Sequence, residues 1–151
     1  KEANDFSDPY YEIKQSLLVN NADKDTLTDL DKLDGKIVGV QSETTGAQFA
    51  TENAEANGYT VKEFTGADEI FAALRAGTID ASLQDYPVNF GESDTNGQTT
   101  ITKSFDGDEQ YGFVISKDNP ELTKAINASL KKLKENGDYD AILVKYLGES
   151  Q

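Results

Sequence analysis

The stretch from Gly35 to Ala50 places the strongest constraint on what this chain can fold into. An apolar run at residues 37–40 predicts a buried strand, a polar turn follows, and an alanine-rich run with helical spacing begins at Thr45. The first N–H groups of a helix have no partner within the helix, and the helix dipole favours negative charge there. Because ligands of open α/β sheets lie beyond the carboxyl ends of the strands, we predict a small anion site at this turn. The anion we expect is a carboxylate.

The same turn has a second interpretation. Either Thr44 or Thr45 can be the N-cap of the helix, which contributes about 1 kcal/mol to helix stability and nothing to function. The two interpretations are compatible, because a threonine can cap a helix through one contact and still present its hydroxyl group to a ligand.

Composition excludes several classes of site. The chain has 151 residues, enough for one ordinary domain, and a net charge of −14 that argues against nucleic acid and anionic membranes as partners. Without cysteine or histidine, it has no disulfide, no zinc site built on those ligands and no Ser-His-Asp or Cys-His catalysis. No apolar run approaches the ~20 residues of a membrane span, and no signal peptide is recognised. The absence of methionine leads us to expect a processed product or a fragment.

Strands alternate with helices along the chain, which predicts an α/β fold with a mostly parallel sheet. The predicted strands cover residues 13–20, 36–40, 59–64, 79–84, 99–102 and 110–116, and the predicted helices cover residues 45–57, 67–76, 88–96, 120–136 and 138–146. The last two helices carry apolar stripes, which are Leu122, Ile126, Leu130 and Leu133 in one and Tyr139, Ile142, Leu143 and Tyr146 in the other. We expect the stripe of the second of these helices to face inward.

Asp85 directly follows a predicted buried strand, so we expect it at the same sheet edge as Thr45. A carboxylate there can pair with an ammonium group, and a hydrogen bond of this kind contributes roughly 1.5–3 kcal/mol. An ordinary turn role before Tyr-Pro is equally compatible with the residue. Together, Thr45 and Asp85 predict a site for the two charged ends of an amino acid. Gln41 and Gln84 flank it, either as contacts to a polar ligand side chain or as amides bonded to solvent or protein.

One component of such a site is missing from the sequence. A buried carboxylate usually recruits a guanidinium group, which binds it through two parallel hydrogen bonds. The one arginine, Arg75, is interpreted as a solvated charge on the helix at residues 67–76. The residues therefore predict half of a site.

Five spaced motifs resemble the extracellular solute-binding proteins of polar amino acid ABC transporters. They are DFSDPYY (5–11), DLDKLDGKIVGVQSETTG (29–46), FTGADEIFAALRAGTIDASLQD (64–85), QYGFVISKDNPEL (110–122) and LKKLKENGDYDAILVKYLG (130–148). The resemblance implies a type II periplasmic-binding-protein-like fold, in which two α/β lobes joined by two crossover strands close on the ligand. It implies that residues 15–108 form a complete second lobe with half of the ligand site. Residues 1–14 and 109–151 then form the crossover strands and C-terminal helices of an incomplete first lobe.

The resemblance also implies roles for individual residues. Thr45, with Thr44 and Gly46, binds the α-carboxylate of the ligand, and Asp85 binds its α-ammonium group. The position of Gln41 helps to select the ligand side chain, and that of Gln84 sometimes does. At Glu43 many members carry glycine, and a carboxylate there crowds or repels the ligand carboxylate unless it points to solvent.

The function implied is capture of a polar amino acid outside the cytoplasm, in the periplasm or as a cell-surface lipoprotein, and its delivery to an ABC transporter permease by lobe closure. No metal or other cofactor and no catalysis are expected. Two alternatives are an enzyme of the same fold, dehydratase-like, with Asp85 and Glu43 as acid or base, and a ligand-sensing receptor domain. Because the family's long N-terminal segment is absent, we expect weak binding by this chain alone. We also expect its exposed apolar stripes to find a partner through self-association, exchange of elements or the missing segment.

Overall fold

A computed structural model describes residues 4–148, which divide into two units. One unit contains the residues up to Ile13 and those from Gly107 onward, and the other is Lys14–Asp106. The assignment of these units to a first and a second lobe stays a prediction. No helix among residues 4–148 has the length and apolar character needed to cross a membrane.

The elements follow the predicted alternation of strands and helices. The strands are β1 (Asn4–Phe6), β2 (Tyr11–Asn20), β3 (Ile37–Gln41), β4 (Thr60–Phe64), β5 (Ala81–Asp85), β6 (Thr99–Tyr111) and β7 (Val114–Ser116). The helices are α1 (Thr45–Asn57), α2 (Ala67–Arg75), α3 (Tyr86–Asn96), α4 (Pro120–Asn136) and α5 (Asp138–Leu147), with a short 3-10 helix at Leu30–Lys32. The strand predicted at residues 110–116 is divided, because its first two residues end β6 and Val114–Ser116 form the separate strand β7. The strand end predicted at residue 102 is wrong, because β6 continues to Tyr111.

The larger unit is built on a sheet with the strand order β4-β3-β5-β2-β6. β3 pairs in parallel with β4 and β5, as the alternation of strands and helices predicted. β2 pairs with β5 in the antiparallel direction, with Gln15 opposite Asp85 and Leu17 opposite Leu83. The sheet is therefore mixed. The direction of β2 was not predicted because the pattern of apolar and polar side chains along a strand does not specify in which direction the strand pairs.

Both faces of this sheet are covered by apolar side chains. Leu17 and Leu18 are adjacent on β2 and fully buried, and they belong to separate core clusters because successive side chains point to opposite faces of a strand. α1 contributes Ala47 and Ala50 to the first cluster, and α2 contributes its buried apolar face to the second. Burial raises the pKa of Tyr59, which donates to the Ala50 carbonyl, to about 12.

In the smaller unit, β1 pairs with β7 in the antiparallel direction. Its buried cluster consists of Tyr11, Ile13 and Leu143, the last from α5. α4 has no buried residue, and Ile142 and Tyr146 of α5 are 45% and 62% exposed. The inward orientation predicted for the α5 stripe is therefore correct for Leu143 and wrong for Ile142 and Tyr146, and Tyr139 is half-buried against the cluster.

Candidate functional site

The two threonines at the start of α1, Thr44 and Thr45, differ in their hydrogen bonds. Thr44 is the N-cap: its hydroxyl oxygen accepts from the Ala47 amide at 3.1 Å, and its hydroxyl group donates to the Gln41 carbonyl at 2.8 Å. Thr45 is the first helical residue and is exposed. Within residues 4–148, neither its hydroxyl nor the amides of Thr45 and Gly46 have a hydrogen-bond partner. Three donors at this helix end therefore have no hydrogen-bond partner among the described residues, although Gly46 itself is buried.

Gly46 locates this helix end relative to β5. A Cβ atom built on Gly46 would lie 2.9 Å from Oε1 of Gln15, 3.5 Å from Cα of Gln84 and 3.5 Å from the carbonyl oxygen of Leu83. The first turn of α1 is thus packed against the last residues of β5. A zwitterion site requires this helix end near the end of β5, and the absence of a side chain at Gly46 allows its close approach to Leu83 and Gln84.

Asp85 is the last residue of β5 and is half-buried. Its Oδ1 accepts a hydrogen bond of 2.6 Å from Nε2 of Gln15, the residue opposite it on β2. Gln15 was not predicted from the sequence. Only the register between β2 and β5 brings this side chain to the site, and no pattern in a single sequence specifies that register.

The two glutamines differ in their surroundings. Gln41 ends β3 and is half-buried, and its Nε2 donates to the Thr65 carbonyl at 3.5 Å, a weak contact. Gln84 is 6% exposed, and its Nε2 donates to the Ser82 hydroxyl at 3.0 Å and lies 3.5 Å from Oδ1 of Asn89. The geometry of Gln84 therefore favours the second of its two interpretations, an amide bonded within the protein.

Asn89 is the centre of the buried polar network to which Gln84 belongs. The residue is fully buried, and its Nδ2 donates to the carbonyl and to the hydroxyl oxygen of Ser16, both at 3.0 Å. Its Oδ1 accepts from the Ser82 hydroxyl at 3.1 Å. The Ser16 hydroxyl donates in turn to the Gln84 carbonyl at 3.1 Å. The network ties α3, β2 and β5 together immediately before the residue that ends β5.

Glu43 occupies the turn between β3 and α1 with φ of 62°, in the left-handed region that favours glycine. Its side chain is exposed and lines a surface groove together with Glu52 and Glu63. The sequence predicted that Glu43 repels a ligand carboxylate unless its side chain points to solvent. The exposed side chain meets this condition. The backbone geometry also gives a physical reason for glycine in related sequences.

Replacing Glu43 with glycine is expected to stabilise the protein by about 1 kcal/mol, because a glycine at positive φ avoids the clash of a Cβ atom with the backbone. Glu43→Ala removes the same charge but keeps the Cβ atom, so it serves as the matched control and should give no gain. Urea denaturation of the two variants measures the difference. Equal stabilisation by both would assign the effect to charge instead.

The arrangement brings together donors for an anion and an acceptor for a cation. The N–H and hydroxyl groups of Thr45 and Gly46 suit a carboxylate, and Asp85 suits an ammonium group. Among the described residues, no group of three acidic side chains is placed to hold a metal ion. The site residues are thus suited to binding the two charged ends of a small zwitterion.

Comparison with known proteins identifies the family. Residues 1–149 match the bacterial extracellular solute-binding proteins, family 3. The chain is 37% identical over 150 residues to an ABC transporter glutamine-binding protein of Bacillus subtilis, covering 99% of this chain and 54% of that protein. It is 32% identical to the lysine/arginine/ornithine-binding periplasmic protein of Escherichia coli, covering 93% of this chain and 57% of that protein. It therefore spans about half the length of these curated relatives.

A solved structure extends the likeness to the fold. The second substrate-binding domain of GlnP from Lactococcus lactis, in its open conformation, superposes with a TM-score of 0.80 at 32% identity. The match covers 99% of this chain and 65% of that domain. The predicted type II periplasmic-binding-protein-like fold is confirmed, with this chain corresponding to part of it. The chain belongs to the bacterial extracellular solute-binding proteins of family 3.

Proposed function

We propose that this chain contributes to the capture of a polar amino acid outside the cytoplasm and to its delivery to an ABC transporter permease. The observation that carries the proposal is the contact between the start of α1 and the end of β5, where Gly46 packs against Gln84, the residue before Asp85, and where the donors of Thr45 and Gly46 have no partner among residues 4–148. The relatives are named for binding glutamine and for binding lysine, arginine and ornithine. These amino acids differ in their side chains and share the α-carboxylate and α-ammonium groups that the proposed site recognises.

In this proposal Thr45 and Gly46 donate to the ligand α-carboxylate, and Asp85 accepts from its α-ammonium group. Gln41, at the end of β3, is placed to contact the ligand side chain, whereas Gln84 supports β5 from inside the protein. Contacts from both lobes would then stabilise a closed state over an open one. The location outside the cytoplasm follows from family membership, and anchoring as a lipoprotein is a further proposal.

The enzyme alternative has less support from the site. General acid–base catalysis needs a positioned carboxyl group with a tuned proton affinity. One oxygen of Asp85 is bonded to Gln15, and Glu43 points to solvent on an exposed turn. The curated relatives cited above are binding proteins rather than enzymes. We therefore propose a binding module and no catalysis.

Amino acid binding by the chain can be tested with a panel of the twenty amino acids, using thermal shift and the amide resonances of Thr45 and Gly46. We expect weak binding by this chain alone, with Asp85→Ala lowering the affinity about 10- to 100-fold through loss of a charge-assisted hydrogen bond. Asp25→Ala is the matched control, because Asp25 is an exposed carboxylate outside the site. Unshifted resonances with every amino acid, or equal affinities for both variants, would contradict the proposed site. Micromolar affinity by calorimetry would overturn the expectation of weak binding.

We also propose that a second polypeptide surface covers α4 in the working protein. A groove of about 420 Å³ runs along it, lined by Phe113, Leu122, Ala125, Ile126, Ser129, Leu130 and Leu133. Phe113 and Leu122 are each 45% exposed, and the neighbouring Val114 is 61% exposed. Contiguous apolar surfaces of this kind usually mark an interaction site.

A further inference from the structure

Gln15 contains the one buried side-chain oxygen or nitrogen, among residues 4–148, that has no hydrogen-bond partner. This atom is Oε1, and the residue as a whole is 8% exposed. Buried polar atoms are bonded in the great majority of cases, so an unpartnered one requires a physical explanation. The explanation here lies in what the two ends of the amide contact.

The orientation of the Gln15 amide follows from chemistry at both ends. A carboxylate only accepts hydrogen bonds, so the group that lies 2.6 Å from Oδ1 of Asp85 must be the amide nitrogen. The oxygen therefore points the other way, toward Gly46, where a Cβ atom would come within 2.9 Å of it. That place is the start of α1, and the positive end of the helix dipole stabilises an oxygen there.

We infer that Gln15 is a positioning residue that fixes the Asp85 carboxylate relative to the N-terminus of α1. The inference rests on the proposed function, because it concerns the two halves of the proposed zwitterion site. The distance between the α-carboxylate and the α-ammonium group is nearly the same in every amino acid, so the groups that bind them must be held at a fixed separation. The Gln15 side chain spans that separation, with its nitrogen bonded to Asp85 and its oxygen against Gly46.

The close fit between Gln15 and Gly46 supports the same conclusion. Any side chain at Gly46 would meet Oε1 before it met the backbone of β5. A displaced Oε1 would carry Nε2 away from Asp85, since both atoms belong to one planar amide. The positions of Gly46 on α1, Gln15 on β2 and Asp85 on β5 are therefore coupled through the Gln15 amide.

The test compares Gln15→Met, which keeps the length of the side chain and removes both polar atoms, with Ser16→Ala. Ser16 is the matched control because it is the next residue on β2, is fully buried and donates to the Gln84 carbonyl. Without ligand, we expect Gln15→Met to move the carboxyl ¹³C resonance of Asp85 and the amide resonance of Gly46. Ser16→Ala loses the hydrogen bond to the Gln84 carbonyl and keeps the Gln15 amide, so it should move both resonances less than Gln15→Met does. Unchanged resonances in Gln15→Met would overturn the inference.

A second arm of the experiment separates positioning from general stability. Each variant of the 151-residue chain is titrated with L-glutamine and with glutaramic acid, which lacks the α-amino group. Gln15→Met should weaken L-glutamine binding about tenfold, the effect of a lost or misaligned charged hydrogen bond, and leave glutaramic acid binding within about twofold. An equal loss for both ligands would assign Gln15 a merely structural role. If the unaltered chain binds none of the twenty amino acids of the panel, the proposed function fails, and the ligand-free resonances still decide the role of Gln15.

Discussion

Replacing Asn89 with leucine is expected to destabilise the protein by about 4 kcal/mol, because each buried polar group left without a partner costs about 1–3 kcal/mol. Leucine has nearly the shape of asparagine, so the loss arises from hydrogen bonding rather than from a cavity. The Asn89 amide forms hydrogen bonds with the carbonyl of Ser16 and with the hydroxyl groups of Ser16 and Ser82. Ser16, Ser82 and Asn89 are all fully buried.

Urea denaturation measures this loss, and an unchanged dependence on urea concentration would show that the unfolding reaction is the same. Asn53→Leu is the matched control. Asn53 is half-buried on α1, and its amide donates to the Phe49 carbonyl of the same helix, which leaves no buried partner behind when it is replaced. We expect a loss below about 1 kcal/mol for the control. A similarly small loss for Asn89→Leu would show that the buried network does not stabilise the fold.

The buried polar network around Asn89 and the role of Gln15 were not predicted from the sequence. Helices α1, α2 and α4 were predicted from apolar spacing and their end signals, and these signals act within a few residues of chain. Asn89 and Gln15 are polar residues inside a predicted helix and a predicted strand, and no local pattern distinguishes them from their neighbours. Their importance comes from partners about 70 residues distant along the chain. Those partners are defined by the antiparallel pairing of β2 with β5, which apolar pattern alone does not specify.

The candidate site was also predicted only in part from the sequence. The expectation that Thr45 and Asp85 lie at one sheet edge depends on parallel strands, which alternation with helices predicts well, and the packing of Gly46 against β5 agrees with it. Which threonine caps α1 stayed open in the sequence, because either residue can adopt the required extended backbone. The structure assigns the cap to Thr44. The direction in which Gln84 points depends on the strand pleat and its neighbours, and the sequence left both possibilities open.

Self-association of the chain through the α4 groove is expected to be reversible and to strengthen at high salt. The groove supplies the attraction, since partly exposed Leu122 and Ile126 gain roughly 1 kcal/mol each when an opposing surface covers them. The net charge of −14 opposes association of like copies, and salt screens this repulsion. Analytical ultracentrifugation at low and high salt measures both effects. A monomer at every concentration and salt level would contradict the expectation.

The double variant Leu122→Gln with Ile126→Gln should weaken this association about 1000-fold. In a two-fold symmetric dimer each substitution acts twice, so two substitutions remove roughly 4 kcal/mol of binding free energy. Glutamine leaves the net charge unchanged, which separates loss of apolar contact from electrostatic repulsion. Val88→Gln is the matched control, because Val88 is 37% exposed on α3 and lies outside the groove. Equal weakening by the control would locate the association elsewhere on the protein. An unaffected control with a monomeric double variant would identify the uncovered face of α4 as the contact surface.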